Sequence, residues 1–525
     1  MKAVVNYILD NRYGLSVFFL AAIFLLPFLG MFPLIDPDEP VYGQTAREML
    51  AAGDWLSPRI YGNFWYDKPP LFYWLEMISY SLFGISDYTS RLPSAIMGLA
   101  TIGTVYIQCR AIFNKHIAFR AAVVLLTSLG FIYIGKAAVT DMTLVFTLTF
   151  TMLAFYRKQY YTAYAGCGLA LLAKGPVGYA FPAIIMLLYI IFTRRWTLLK
   201  EMKIPRGILL AFLIGLPWYI AMYAVHGAAF TDAFIGYHNF TRFAAPEHPG
   251  QNSIFFFVPI VLGAMMPWTG ALFQAMYRII RGNGPYHDGL LFCLIWAVFI
   301  FVFFSFSKTQ LVTYIAPLFP PLSIILGWYT YALKRIGRLP RIWLVSSYIG
   351  GLILLACNAI PLNENALFFS TPILWASLLL TAALVLPAIC MQLKNWRAAL
   401  ICTILSMFAF MTVAFAGVLP QAQEYISGKT IAADYVSLET GNTTVYIEKF
   451  LCPALAFYGN ITGTAWEINE APDFKKIRTI PQKAYFIMQR STYNKLLQTQ
   501  PDLNYWQIVR TTPGQLILVN TKEPL

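Results

Sequence analysis

Three carboxylates stand directly after the first long apolar run of the chain. Asp36, Asp38 and Glu39 lie in the sequence IDPDEP, which follows the apolar residues near 14–34. Acidic side chains at the end of a membrane-spanning helix are costly unless they face a water-filled cavity or a cation. In such a place a carboxylate can act as a general base, or it can stabilise positive charge on a reacting carbon.

Three basic residues beyond these acids could bind a phosphate group. Lys68 stands beside Asp67 in WYDKPP, Lys308 lies in FSFSKTQLVTY, and Arg242 lies in the segment 226–253. A lysine ammonium is a point charge, and the arginine guanidinium is a fork that fits phosphate oxygens. For Lys68 a second interpretation stays open, in which an ordinary interfacial lysine extends its ammonium to water.

Asp141 could be a further acid of the same site. It occurs in AAVTDMTL, between the third and fourth apolar runs, and it is the only acid of that hairpin. An N-cap of the helix that begins there is an equally good interpretation, because aspartate caps helices well. The two roles are compatible.

A zinc site is a weak alternative for the segment 226–253. It contains His226, His238 and His248 together with Asp232 and Glu247, but no HxxxH or HExxH spacing occurs. Histidine ligands of zinc usually follow such spacings. We therefore predict no metal ligands here.

The composition requires membrane-spanning elements to hold these residues. Of the 525 residues, 58% are hydrophobic and 12% are charged, about half the usual charged share. A helix needs roughly 20 apolar residues to cross a bilayer. We predict about thirteen spans, near 14–34, 91–112, 119–139, 142–156, 161–173, 176–193, 207–225, 254–277, 288–306, 311–333, 342–361, 371–391 and 397–418. Within 161–193, Gly175-Pro176 either turns the chain or kinks one long helix.

The distribution of positive charge predicts the orientation. With a cytoplasmic amino terminus, more than half of the 38 lysines and arginines fall in the amino-terminal segment and the cytoplasmic connections. The opposite side carries fewer, among them Arg47, Arg59, Lys68, Arg91, Arg242 and Lys308. The net charge of +14 is thus a topological signal and no sign of nucleic-acid binding. We predict a multi-pass plasma-membrane protein with an extracytoplasmic carboxyl end.

The domain organisation follows from these spans. We expect a transmembrane catalytic domain over 1–418, with outer segments at 35–90 and 226–253, and a soluble α/β domain over 419–525. In the first outer segment, EPVYGQTAREMLAAGDW and PPLFYWLEMISYSLF are predicted to be juxtamembrane helices. In the carboxyl-terminal part, TVYIEKF, KAYFIMQ, YWQIVRT and QLILVNT are predicted to be strands.

Several motifs together resemble one family. IDPDEPVYGQTAREMLAAGDW, YDKPPLFYW, RLPSAI, TDM, LAKGPVG, NFTRF and SKTQLVTYIAPLFPPLSIILG are similar, in order over about residues 10–335, to GT-C membrane glycosyltransferases. The resemblance is to the aminoarabinose-transferase-like branch, which is related to protein O-mannosyltransferases. One departure is that SKTQLVTY stands where the branch usually has a Gly-Lys-Leu-Pro-type run, which leaves the sugar open.

The resemblance implies an activity and a role for each site residue. Enzymes of this family take a sugar from a polyprenyl monophosphate on the outer face of the plasma membrane. They transfer it with inversion of the anomeric centre. Asp38 would be the catalytic carboxylate, with Glu39 and Asp141 as further acids, while Lys68, Arg242 and Lys308 would bind the donor phosphate. The residues that we expect to line the donor or acceptor pocket are Asp67, Tyr42, Tyr66 and Tyr314.

The expected partners are a polyprenyl-phosphate sugar, the lipid bilayer and an acceptor such as lipid A phosphate, another glycolipid or a glycan. Transfer to a protein hydroxyl is the alternative within the family. A lipid-linked sugar transporter is the alternative of another class, although transporters usually have repeated halves and sites at the midplane. No cofactor is expected to be required. A divalent metal bound by Asp38, Glu39 and Asp141 stays a lesser possibility, because hard cations need several oxygen ligands.

Overall fold

The computed structural model describes residues 2–234, 236, 253–337, 339–359, 371–438, 443–466, 484–499 and 506–520. They form two compact units. The first comprises Met1–Pro27, Tyr66–Leu75 and Arg91–Ala414, and the second comprises Phe28–Trp65, Glu76–Ser90 and Phe415–Leu525. Residues 28–65 and 76–90, which the sequence analysis grouped with the membrane part, therefore cluster with 415–525. The predicted boundary at 418 stays a prediction.

The described chain is mainly helical. Its helices in chain order are α1 (Lys2–Leu25), α2 (Asp38–Ala51), α3 (Leu71–Phe83), α4 (Asp87–Ile112), α5 (Lys115–Leu126), α6 (Leu129–Gly135), α7 (Asp141–Tyr156), α8 (Tyr160–Lys174), α9 (Val177–Thr193), α10 (Thr197–Glu201), α11 (Ile204–His226), α12 (Ala228–Thr231), α13 (Phe257–Ala264), α14 (Thr269–Arg281), α15 (His287–Phe306), α16 (Phe319–Ile336), α17 (Arg341–Ala359), α18 (Thr371–Gln392), α19 (Trp396–Val413), α20 (Leu419–Gln421), α21 (Gln423–Ile426), α22 (Lys429–Val436), α23 (Cys452–Gly459) and α24 (Arg490–Thr499). A 3-10 helix at Val312–Leu318 precedes α16, and a π-helix at Ala414–Val418 follows α19.

The strands of the described chain are short, and all of them lie in the second unit. They are β1 (Arg59–Ile60), β2 (Asn63–Phe64), β3 (Thr444–Glu448), β4 (Thr464–Trp466), β5 (Ala484–Gln489), β6 (Trp506–Thr511) and β7 (Gln515–Asn520). β1 and β2 form an antiparallel pair after α2. Each of the four strand segments predicted in 419–525 contains a strand, whereas the three-residue β4 was not predicted.

Several helices can cross a membrane. Among the described residues seven helices are long and apolar enough, or up to nine spans if each of two bent pairs counts as one. Shorter apolar helices cover Arg12–Leu25, Asp141–Tyr156 and Val177–Thr193. The predicted total of thirteen is not confirmed.

The first predicted span, 14–34, ends earlier than expected. α1 stops at Leu25, two residues before Pro27. A proline removes a backbone donor and disfavours helical geometry in the residue before it, so a helix commonly stops there. The apolar residues that follow continue the hydrophobic run without continuing the helix.

Two other predicted spans are sharply bent. α5 and α6 meet at 69°, and α13 and α14 meet at 104°. At the first bend the hydroxyls of Thr127 and Ser128 donate to the carbonyls of Val123 and Val124, at 2.7 and 2.6 Å. Hydroxyl groups that bond back to the preceding turn bend helices. Pro267 occupies the second bend, where it removes a backbone donor.

The region 161–193 contains a break between two helices. α8 ends at Lys174, Gly175 has φ of 77°, and α9 begins at Val177. Glycine adopts positive φ without the steric cost that a side chain would impose. The sequence left open whether Gly175-Pro176 turns the chain or kinks one long helix. In the structure the chain turns there.

Glycine allows close helix contacts in the first unit. A Cβ placed on Gly327 of α16 would lie 2.5 Å from the backbone nitrogen of Ala121 in α5. One on Gly207 of α11 would lie 2.0 Å from the ring of Tyr164 in α8. Small residues let helix backbones approach closely within membranes.

The second unit contains a five-stranded sheet in the order β4-β3-β5-β7-β6. β3 runs parallel to β4 and β5, whereas β7 is antiparallel to β5 and β6. Alternate residues of the strands form two cores on opposite faces, as the period of two in a strand requires. Val445, Ile447 and Ile487 share one core with α22 and α23, and Phe486 and Leu518 share the other with Leu496 of α24.

The segment between α1 and α2 is anchored within this second unit. Asp36 is buried, and its Oδ2 accepts a hydrogen bond from the backbone N–H of Gly428 at 2.7 Å. The backbone N–H of Asp36 donates to the carbonyl of Ile426 at 2.9 Å. On α2, the Arg47 guanidinium donates to the carbonyl of Phe457 at 2.8 Å. These bonds fix the entry of α2 against α21, α22 and α23.

We predict that Gly327→Ala lowers the stability of the protein. The added methyl group overlaps the backbone of α5, and overpacking of a close contact costs about 1–3 kcal/mol. Gly103→Ala is the matched control, because Gly103 is also helical and nothing lies within 4 Å of its added Cβ. Alanine is the better helix former by about 1 kcal/mol, so the control should unfold at an equal or higher temperature. Thermal unfolding in detergent measures both, and equal behaviour of the two variants would contradict the close contact.

Candidate active site

Asp38 and Glu39 form the first turn of α2 and have different surroundings. Glu39 is 3% exposed, and its Oε2 accepts a hydrogen bond from the backbone N–H of Ile35 at 2.7 Å. Asp38 is exposed. Both carboxylates lie where the partial positive charge of the helix amino terminus stabilises anions. Glu39 thus helps to hold the turn, whereas Asp38 is the carboxylate that a solute can reach.

Tyr42 shares a helix face with Asp38. It follows Asp38 by four residues in α2, and residues at this spacing lie one above the other on the helix surface. Tyr42 is half-buried. A phenol at this position can contact the same molecule that Asp38 contacts.

Asp36 has a structural role, because its side chain anchors the segment that leads into α2. Burial raises the pKa of its carboxyl well above the ordinary value, and the backbone hydrogen bond from Gly428 acts in the opposite direction. Because its Oδ2 holds Gly428, we assign the acid available for chemistry in this segment to Asp38 and not to Asp36.

Lys68 forms an ion pair with its chain neighbour in the first unit. The distance from Lys68 Nζ to Asp67 Oδ1 is 2.9 Å, and the two side chains are 14% and 11% exposed. Pro69 and Pro70 follow, and α3 begins at Leu71. An ammonium has three N–H donors, so this ion pair leaves donors of Lys68 for a phosphate oxygen.

Tyr66 packs where α11 ends. Its ring centroid lies 5.3 Å from that of His226 and 5.8 Å from that of Phe230. Edge and tilted ring contacts at these distances stabilise a fixed orientation. The turn that carries Asp67 and Lys68 is therefore held by aromatic packing on the residue before it.

Asp141 meets a lysine that the sequence analysis did not select. Asp141 is the first residue of α7, the N-cap is Thr140, and no side-chain cap bond is made. Asp141 Oδ1 instead accepts a hydrogen bond from Lys174 Nζ at 2.6 Å. The Lys174 Nζ also lies 5.0 Å from the ring centroid of Tyr314. The N-cap interpretation of Asp141 is therefore wrong.

The cluster of Asp141, Lys174 and Tyr314 unites three distant segments. Asp141 begins α7, Lys174 ends α8, and Tyr314 lies in the 3-10 helix before α16. The side chains of Lys174 and Asp141 are only 13% and 7% exposed. The motif LAKGPVG contained the signal for Lys174, because a lysine immediately before a glycine-proline break lies at a helix end.

Lys308 and Arg242 are the two remaining cations that the sequence predicts for the phosphate site. Lys308 is exposed and follows α15. Near it Gln310 is buried; its Nε2 donates to the carbonyl of Ser305 at 3.2 Å and its Oε1 accepts from the backbone N–H of Ser253 at 3.3 Å. Arg242, like His238 and His248, lies outside the described residues.

Glu76 is a buried acid that the sequence analysis did not select. It lies on α3 with no exposed surface, and within the described part of the chain neither carboxylate oxygen has a hydrogen-bond partner. Burial raises the pKa of its carboxyl well above the ordinary value, and the negative charge of Glu39 raises the pKa further. Glu76 is therefore protonated over a wider pH range than a solvated glutamate.

The described residues contain no cluster that could hold a metal ion, where a cluster means three or more histidine, cysteine, aspartate or glutamate side chains. A divalent metal bound by Asp38, Glu39 and Asp141 stays a hypothesis drawn from the sequence.

Comparisons with known proteins agree with the resemblance drawn from the motifs. Residues 67–220 match the family described as dolichyl-phosphate-mannose-protein mannosyltransferase. The undecaprenyl phosphate-alpha-4-amino-4-deoxy-L-arabinose arabinosyl transferase of Aeromonas salmonicida (strain A449) is 31% identical over 362 residues, which are 67% of this chain and 65% of that protein. Transferase 1 of the same description from Proteus mirabilis (strain HI4320) is 32% identical over 345 residues, which are 63% of this chain and 61% of that protein. The similarity thus spans a little less than two thirds of each relative.

Solved structures extend the similarity over nearly the full chain. ArnT from Cupriavidus metallidurans bound to undecaprenyl phosphate has a TM-score of 0.78 at 24% identity and covers 97% of this chain and 98% of that one. The chain is thus similar in sequence and in fold to the aminoarabinose-transferase-like GT-C membrane proteins. The oligosaccharyltransferase of Archaeoglobus fulgidus, with a TM-score of 0.55 at 14% identity over 97% of this chain and 74% of that one, shares the fold more distantly.

We predict that the Asp141–Lys174 pair stabilises the protein as a unit. Removing one partner of a buried ion pair leaves an uncompensated charge, which costs about 3–5 kcal/mol. Asp141→Asn and Lys174→Met should therefore each lower the unfolding temperature strongly. The double variant should lose less than the sum of the two single losses, as thermal unfolding in detergent can measure. Strictly additive losses would indicate that the two groups do not interact.

We predict that Glu76→Gln stabilises the protein increasingly as the pH rises. The folded-state pKa of Glu76 is raised, so its contribution to stability is fully present below the unfolded-state pKa and is lost as the pH rises toward the folded-state pKa. The amide does not ionise, so the difference in unfolding temperature between variant and parent should grow from pH 5 to pH 8. Glu424→Gln, at a partly exposed position, is the control. A difference for Glu76→Gln that is independent of pH would contradict the buried, protonated state.

Proposed function

We propose that the protein is an inverting glycosyltransferase that takes a sugar from a polyprenyl monophosphate of the undecaprenyl type. The observation that carries the proposal is the identity of 31% over 362 residues with a transferase named for undecaprenyl phosphate-linked aminoarabinose. The similarity in fold to an ArnT bound to undecaprenyl phosphate supports a polyprenyl-phosphate donor. Sugar identity stays open within this class, because SKTQLVTY departs from the pattern of the branch.

The reaction breaks the bond between the anomeric carbon and the phosphate oxygen. The electron pair of that bond leaves with the polyprenyl phosphate, and an acceptor oxygen forms a new bond from the opposite face of the sugar. Negative charge therefore grows on the leaving phosphate while positive charge grows on the anomeric carbon. Preorganised groups that meet these two charges lower the barrier.

Lys68 is proposed to stabilise the leaving phosphate, with Arg242 and Lys308 as further cations. Lys68 is held on a turn fixed by two prolines and by the packing of Tyr66, so its ammonium is preorganised. The pairing with Asp67 orients it and leaves N–H donors for phosphate. Lys174 joins these cations as a candidate, with Tyr314 as the aromatic group beside it.

Asp38 is proposed to be the catalytic carboxylate. If the acceptor is a hydroxyl, Asp38 removes its proton as a general base. If the acceptor is a phosphate monoester, such as a lipid A phosphate, the attacking oxygen carries no proton, and Asp38 stabilises the positive charge of the anomeric carbon. Glu39 and Asp141 are assigned supporting roles, since both accept hydrogen bonds from neighbouring groups.

The acceptor is proposed to be lipid A phosphate or another glycolipid or glycan on the outer face of the plasma membrane. The excess of basic residues in one set of connections supports a cytoplasmic amino terminus and an extracytoplasmic active site. Transfer to a protein hydroxyl is the second candidate, because residues 67–220 match a protein mannosyltransferase family. No metal is proposed as a requirement, and activity in the presence of EDTA tests that part.

We predict that Lys68→Ala and Asp38→Asn abolish most of the transfer by the protein reconstituted in vesicles with an undecaprenyl-phosphate sugar donor. Loss of one preorganised group that stabilises developing charge costs about 10²–10³ in rate. Asp38→Asn keeps the size of the side chain and removes its charge. The conservative variant Lys68→Arg should keep more activity than Lys68→Ala, since a cation remains. The rate of sugar transfer to lipid A, measured by mass spectrometry, is the readout.

A variant of the exposed Lys334, at the end of α16 and outside the candidate site, is the control, and Lys334→Gln should transfer sugar at the parent rate. Near-parental transfer by folded Asp38→Asn would remove Asp38 from the catalytic role. A protein that moves the donor across the vesicle membrane without transferring sugar would favour the transporter alternative. A parent protein that glycosylates a peptide but not lipid A would favour the protein acceptor.

A further inference from the structure

A cavity in the first unit is lined mostly by residues toward the helix ends opposite to the Asp141–Lys174 pair. It has a volume of about 240 Å³, is partly open, and is lined by residues of α7, α8, α9 and α11 together with the short α10. Phe155 of its wall is fourteen residues after Asp141 in α7, which is about 21 Å along the helix axis. The cavity thus lies toward the end of α7 opposite to the Asp141–Lys174 pair.

The wall of the cavity is almost entirely apolar. Its lining includes Cys167, Met186, Leu187 and Met202, and only the tyrosine rings in it carry a hydroxyl. An apolar cavity does not hold ordered water well and accepts apolar guests instead. An apolar cavity of about 150 Å³ accepts a benzene molecule, so this larger volume can hold part of an acyl chain.

The segment that covers this end of the helices is typical of a membrane boundary. Leu198 of α10 and Met202 after it are buried, whereas Trp196 before α10 is 55% exposed. Tryptophan concentrates at the boundary between lipid and water, where amphipathic segments lie along the surface. An acyl chain can therefore reach the cavity from the neighbouring bilayer.

The same segment is strongly basic. Between residues 194 and 206 it has five basic residues and one acid, Glu201. Glu201 is engaged by Lys158 at 2.7 Å, and Arg195 by Asp288 at 2.9 Å. Lys203 lies over the ring of Tyr161, with its Nζ 5.2 Å from the ring centroid.

Three cations of this segment are available to an anion. Arg194, Lys200 and Arg206 are exposed, and none of them forms an ion pair with another described residue. Clusters of lysine and arginine beside membrane helices attract anionic lipid head groups. An apolar cavity that takes a chain and a basic rim that takes a phosphate together match one amphiphile.

We propose that this cavity binds one acyl chain of an anionic glycerophospholipid, whose phosphate lies against Arg194, Lys200 and Arg206. The site is separate from the donor and acceptor of the proposed transferase reaction. With the orientation proposed above, it lies at the cytoplasmic boundary of the membrane. Its ligand is a structural lipid of that leaflet and is not consumed.

The experiment uses the full-length protein in detergent with two lipids of identical chains, phosphatidylglycerol and phosphatidylethanolamine. Native mass spectrometry measures the retention of each lipid. We expect phosphatidylglycerol to be retained at least about fivefold more than phosphatidylethanolamine. The combined variant Arg194→Gln, Lys200→Gln and Arg206→Gln should abolish that preference. Matched removal of charge at Lys334, Arg335 and Arg341 should leave the preference intact.

A second pair of variants tests the chain part of the site. Ala183 lines the cavity, and Ala183→Phe should occupy the space and reduce lipid retention severalfold. Ile184→Phe, on the next residue and outside the lining, is the control. A phosphatidylglycerol with a photoreactive chain should label peptides that contain 179–190 and 199–204 in the parent and in Ile184→Phe. It should not label them in Ala183→Phe.

Equal retention of the two lipids would overturn the proposal. Labelling of other peptides, retention of detergent only, or equal loss in Ala183→Phe and Ile184→Phe would overturn it as well. Sugar transfer is not a readout of any of these measurements, so failure of the proposed function and failure of this site are distinguishable.

Discussion

The cost of placing charge next to lipid is the constraint on which the arrangement of this protein depends. In a chain that is 58% hydrophobic, a buried ionisable group needs a partner or a hydrogen bond, or it becomes neutral as the raised pKa of Glu76 favours. Asp141 meets Lys174, Lys68 meets Asp67, and Asp36 accepts a backbone N–H. Each of these contacts lies at the end of a helix or in the turn before one. The helix ends therefore decide where polar chemistry can occur.

The same contacts that compensate charge also position side chains for chemistry. Lys174 is held between a carboxylate and the ring of Tyr314, which fixes its ammonium in space. Glu39 holds the turn before α2, and that turn sets the position of the exposed Asp38. A group that is already oriented loses little freedom when a substrate arrives, which favours catalysis. Glu39 thus holds the turn, and the proposed catalytic role is assigned to its neighbour Asp38.

Within the second unit, the acidic segment is attached to the carboxyl-terminal region. Tyr458 receives a hydrogen bond from the backbone N–H of Leu34, and its hydroxyl donates to Asp87. Lys429 pairs with the same Asp87 at 2.7 Å. The helices α22 and α23, which pack on the sheet, thus hold the segment that leads to Asp38.

The sequence by itself determined the membrane class, the helices α2 and α3, four strands and the family resemblance. These features depend on local composition, on periodicity and on motifs that can be read in chain order. It also selected Asp38, Lys68 and Tyr314 by residue type and neighbourhood. Only the tertiary structure decided that Asp141 meets Lys174, that Glu76 is buried, and that residues 28–65 cluster with 415–525. The physical reason is that the partner of a charge is chosen by packing between segments distant in the chain, and spacing along the chain carries no record of that choice.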